Sequence, residues 1–235
     1  MGIEIVSGNR NKVKIAILYF FLIAGGLWHL FGLFQDLMNQ LASPLLIGLG
    51  VWLMIENVKL NQREEVNSKN FHPNSCRFVC WSLSVIIITI IIEAIGVKTG
   101  KIFGNYTYGS NLSPYIGGVP LAIGFAWLTM LLSSIPLAEL ILTHLKSENI
   151  LLTTLLTALL MTVFDFFMEP AAIKLDYWTW ADRKIPCGNY LAWFFISLCL
   201  ITGGKLLKIL PQKLSTIGIH AYFAQLIYFL LVSIG

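Results

Sequence analysis

Residues 149–180 read NILLTTLLTALLMTVFDFFMEPAAIKLDYWTW. Residues 149–169 are apolar apart from Asn149, their threonines and two acids, and they are long enough to cross a bilayer, which takes about 20 residues. Asp165 and Glu169 stand at the end of this span, four residues apart and therefore on one helix face. A carboxylate inside a membrane segment is costly, which makes it a functional-site hypothesis by default. Like charges at this spacing repel, and a low dielectric disfavours charge. At least one of the pair is thus expected to hold a proton near neutral pH and to serve as a donor. Pro170, Tyr177, Trp178 and Trp180 follow directly.

The rest of the chain agrees with a membrane reading. Of its 235 residues, 57% are hydrophobic and 12% charged, and its mean hydropathy is +0.76. That is too apolar for a water-soluble domain. The fold class expected is all-α: a polytopic integral membrane helical bundle of about seven transmembrane helices. The spans fall near 13–34, 41–58, 77–97, 117–140, 149–169, 188–209 and 215–234, in a single transmembrane domain over 1–235. The third contains VIIITIIIEAIGV, which suits a strand by residue type, but its length favours a helix. Glu93 lies near its end. The polar stretch 59–75 reads as a water-exposed loop. Residues 98–115, rich in Gly, Asn and Tyr, and residues 170–187 read as interfacial loops. Pro120 is expected in the first turn of the fourth helix. The first helix reads as uncleaved, because no small-residue cleavage site follows it.

Seven spans and the distribution of Lys and Arg set an orientation. The N-terminus and the even-numbered connections carry eleven of the sixteen, which predicts a cytoplasmic N-terminus, in a prokaryotic plasma membrane. Helices three and five then run outward. Glu93, Asp165 and Glu169 gather at one depth near the outer leaflet, beneath the two aromatic loops and level with His29. Glu56 and Glu139 fall at the opposite face, beside lysines, as interfacial residues.

Several classes of function are excluded. No basic stripe with interleaved aromatics points to nucleic acid. The histidines His29, His72, His144 and His220 stand alone, so no histidine-box metal site forms. Cys76 and Cys80 share a face but lack a partner pair for zinc, and Cys187 and Cys199 read with them as buried structural residues. No aspartate-rich pair, phosphate loop or dinucleotide loop appears. Neither metal nor cofactor is expected. What remains is chemistry done with carboxylates, water and aromatic faces: protonation of a carbon–carbon double bond, or proton movement. Asp165, Glu169 and Glu93 are the catalytic candidates, against structural hydrogen bonding between helices. Tyr106, Tyr108, Tyr177, Trp178 and Trp180 are either an interfacial belt or a wall that stabilises a cation. His29 is a substrate-site candidate or a satisfied polar core residue.

The runs Gly100–Tyr108 (GKIFGNYTY), Gly118-Val119-Pro120, Asp165–Pro170 (DFFMEP), Tyr177–Trp180 (YWTW), Ile185-Pro186 and Asn189-Tyr190 resemble the carotenoid 1′,2′-hydratase family. The resemblance covers roughly residues 90–195. It implies a cofactor-free membrane enzyme that adds water across the terminal C1′,C2′ double bond of an acyclic ψ-end group, leaving a tertiary alcohol. Its implied partners are a carotenoid in the lipid bilayer and, through a shared pathway, other carotenoid-biosynthesis enzymes. It also adds Asn189 to the substrate-binding candidates. On this reading Asp165, the deepest, donates the proton, and Glu169 and Glu93 position water and take the proton back. A proton-coupled carrier and a non-catalytic assembly partner are the rival readings.

Overall fold

A computed structural model gives the structure of the protein and describes residues 9–67, 74–147, 149–211 and 214–235. Among the described residues, seven helices are long and apolar enough to cross a membrane. They are α1 (Asn9–Leu30), α2 (Gln35–Asn67), α3 (Asn74–Thr99), α4 (Leu121–His144), α5 (Ile150–Lys174), α6 (Cys187–Leu206) and α7 (Ile217–Ile234). Four short strands lie between them: β1 (Tyr106–Tyr108), β2 (Tyr115–Ile116), β3 (Val119–Pro120) and β4 (Trp178–Trp180). The protein is an all-α integral membrane bundle with a small β element at one end.

Helix α4 is the axis of the bundle. Of its 24 residues 16 are buried, and it packs against α2, α3, α5 and α7. Small residues let backbones approach, as between other membrane helices. A Cβ on Gly124 of α4 would meet the Ile86 carbonyl oxygen of α3 at 2.9 Å. A Cβ on Gly26 of α1 would meet Leu231 of α7 at 2.9 Å.

Several elements depart from the expected boundaries. Helix α2 runs on to Asn67, through a stretch expected as loop. Lys, Gln, Arg and Glu are good helix formers, and in water a helix needs no apolar face to continue. Helix α5 runs past Pro170 to Lys174. Pro170 lacks only its own N–H, a loss that neighbouring groups in a bundle can absorb. Pro120 precedes α4 as its N-cap rather than lying in its first turn, and it belongs to a hairpin. Gly117 and Gly118 form that hairpin's two-residue turn, with φ of 61° and 86°. Both values are left-handed, and glycine adopts them without steric cost. The four cysteines are exposed, not buried, and unpaired. His72 lies outside the described residues.

The end opposite the hairpin is tied by ions. Lys14 Nζ lies 2.6 Å from Glu56, and Lys205 Nζ lies 3.1 Å from Glu139. Both acids are thus paired with lysines, and Glu56 is buried.

Candidate active site

Strands β1 and β4 pair antiparallel, Tyr106 opposite Trp180 and Tyr108 opposite Trp178. Side chains alternate along a strand. Thr107 and Thr179 therefore face out together and are exposed, while the four aromatics face in over the ends of α3 and α5. The tripeptides Tyr-Thr-Tyr and Trp-Thr-Trp form a ribbon that presses two phenols and two indoles onto the carboxylates.

Each inward group finds a carboxylate. Trp178 Nε1 and Trp180 Nε1 both donate to Glu169 Oε2, at 3.0 Å each. The Tyr106 hydroxyl donates to Glu93 Oε2, and the Tyr108 hydroxyl donates to the same oxygen at 2.9 Å. Trp127 Nε1 of α4 donates to Glu93 Oε1 at 3.0 Å. Asn189, in the first turn of α6, donates through Nδ2 to Asp165 Oδ2 at 2.7 Å and to Glu169 Oε1 at 3.1 Å. One amide thus joins the i,i+4 pair of α5. Asp165 is fully buried, and its Oδ1 has no partner.

The phenols of Tyr106 and Tyr108 lie beyond the membrane spans. Burial pushes both above the ordinary tyrosine value, and the Glu93 charge pushes them further. They remain neutral hydroxyl donors. Tyr177 is likewise pushed up by burial and then by Tyr228, its hydrogen-bond neighbour.

Between these groups lies a cavity of about 60 Å³. A water needs roughly 10–15 Å³ by this measure, so the space suits a few waters or the tip of one chain. Glu93 and Glu169 both line it, with Asn189 and the four ribbon aromatics. Trp127 and Trp193 add a stacked indole pair, 4.0 Å between centroids and 14° from parallel. Toward the bundle interior the lining turns apolar, through Leu46, Ile123, Met130, Phe164, Met168 and Phe229, with buried Gln225 as its one polar side chain.

Most of the expected residues thus meet in one place, and three stand apart from the cavity. Asp165 is behind it, reached through Asn189. His29 pairs with Gln35 Oε1 at 3.0 Å, and its ring lies against Tyr228. Tyr177 turns to Tyr228 as well. Trp127 and Trp193 were not among the expected residues. A tryptophan inside an apolar helix has an N–H to satisfy, and that was the available signal. Among the described residues no group of three or more His, Cys, Asp and Glu side chains is placed to hold a metal ion.

The family model for carotenoid biosynthesis proteins matches residues 72–234, which take in α3 to α7 and the whole ribbon. The chain belongs to the carotenoid biosynthesis protein family. It is also similar to a bisanhydrobacterioruberin hydratase of Haloarcula japonica, 29% identical over 120 residues. That match covers 47% of this chain and 40% of the relative, so the matched part is less than half of the relative's length. No solved structure matches the chain. Glu93, Asp165, Glu169 and Asn189 all fall within the residues that the carotenoid biosynthesis family model spans.

Proposed function

We propose that the protein hydrates the terminal C1′,C2′ double bond of an acyclic carotenoid ψ-end group, leaving a tertiary alcohol. The observation that carries this reading is that two carboxyl groups, Glu93 and Glu169, line one small cavity whose remaining walls are indoles and phenols. Family membership and the similarity to a protein named as a hydratase support it.

A trisubstituted alkene is a weak base, so it needs a strong, dry acid aimed at one carbon. The Asp165–Glu169 pair supplies that proton. The two carboxyl groups, tied to one Asn189 amide, hold one proton between them, and Glu169, which faces the cavity, delivers it. The alkene's π pair takes the proton and leaves a tertiary carbocation. Indole and phenol faces stabilise the cation without trapping it. Water oxygen then forms the C–O bond. The proton it sheds goes to Glu93, the other carboxyl group that lines the cavity. Cavity water returns the proton to the α5 pair. The apolar lining between α2, α4, α5 and α7 takes the polyene behind the end group.

Purified protein given an acyclic carotenoid in isotopically labelled water tests this. The product should carry one labelled oxygen and, in heavy water, one carbon-bound deuterium. A carotenoid recovered unchanged in mass would contradict the reading and leave the carrier or the assembly partner.

A further inference from the structure

Hydration consumes one water per turnover, and the walls of the reaction cavity are largely aromatic and apolar. A second, open cavity of about 650 Å³ lies against the ribbon, lined by Thr107, Ser110, Ser113, Tyr115 and the glycines Gly109 and Gly118. Hydroxyls and backbone polar groups of this kind suit water. Tyr108 lines both cavities. Its hydroxyl donates to Glu93 at 2.9 Å on the inner side, and the residue is half-buried, where neighbouring Tyr106 is buried.

We infer that Tyr108 is the gate through which water passes from this vestibule to the reacting carbon. The inference rests on the proposed hydration and says where its water enters. Rotating Tyr108 aside breaks one hydrogen bond to Glu93. The other two, from Tyr106 and Trp127, keep the carboxylate in place. Water then enters from the polar side while the polyene lies in the apolar arm, so the two reactants do not compete for one route.

The test uses a second nucleophile. Methanol can capture the same cation: its oxygen forms the C–O bond, its proton goes to Glu93, and the product is a tertiary methyl ether. Purified protein in detergent is given an acyclic carotenoid in water containing methanol, and ether and alcohol are separated by mass. Wild type and Tyr108→Phe, which keep the ring, should yield the alcohol with little ether. Tyr108→Ala should raise the ether-to-alcohol ratio several-fold. An unchanged ratio in Tyr108→Ala, or as much ether from wild type, overturns the gate. If Tyr108→Ala makes no product at all, Ser110→Trp decides, because it narrows the vestibule from a position that does not line the reaction cavity. Slower hydration supports the route, and hydration at the wild-type rate overturns it. Absence of both products from wild type would count against hydration itself, so the two failures are distinguishable.

Discussion

Asn189 gives one amide nitrogen to two carboxyl groups, and this joins Asp165 to Glu169. The i,i+4 spacing made the pair visible in the sequence. Which of the two faces the cavity was not, because that depends on how α5 is rotated against α4 and α6. Under the proposed reaction Glu169→Gln removes the group that delivers the proton, and Asp165→Asn removes the second carboxyl of the pair that holds it. Each should lower the hydration rate by about 10²–10⁴-fold, the usual contribution of a positioned acid, with normal protein levels. Trp127→Phe asks a structural question. It leaves buried Glu93 Oε1 without its indole donor, and about 1–3 kcal/mol of stability should go with it, read as a lower thermal midpoint in detergent. The phenols predict a pH response. Tyr106 and Tyr108 have raised folded values, so their contribution to stability is complete below the ordinary tyrosine value of 10.0 and is lost as pH rises beyond it. Ultraviolet difference spectra should show their phenolate only after the exposed tyrosines have titrated. Phenolate from them below that value would contradict the burial described.

At the scale of elements, the helices were legible and the ribbon was not. Seven apolar runs of spanning length leave little choice of fold. Three-residue strands have no periodicity to read, and β1 and β4 pair across the whole of α4 and α5. The shared aromatic-Thr-aromatic pattern was the one trace of their common face. Polar α2 beyond residue 58 and α5 beyond Pro170 were misread for a related reason. Hydropathy marks where the membrane ends, not where hydrogen-bonded helix ends. The ribbon can be tested at its turn-side end. Gly109 donates its N–H to Tyr177 oxygen at 3.0 Å, and a Cβ there would press on the Asp176 backbone and its Cγ, 2.8 Å away. Gly109→Ala should part the strands and lower activity while the protein still inserts with unchanged helical circular dichroism. Full activity would show that the ribbon's seating is not needed.

Over the whole molecule, the bundle puts the carboxylates, the ribbon and the vestibule at one end and the Lys14–Glu56 and Lys205–Glu139 pairs at the other. With a cytoplasmic N-terminus, as the Lys and Arg distribution predicts, the site end faces outward. The exposed cysteines can read this. Cys187 starts α6 at the site end, and Cys76 lies in the first turn of α3 at the other. An impermeant thiol reagent applied to intact cells should label Cys187, and should label Cys76 only after permeabilisation. The reverse pattern would invert the orientation. The central claim, that the carboxylate-lined cavity adds water to a carotenoid end, is tested most directly by pigment analysis. The protein and its Glu169→Gln and Asp165→Asn variants are expressed in hosts that accumulate linear lycopene-type, γ-carotene-type or C50 carotenoids. Wild type should yield a more polar pigment heavier by one water, and both variants should lose it. Unchanged pigments in every host, with protein confirmed in the membrane, would contradict the account.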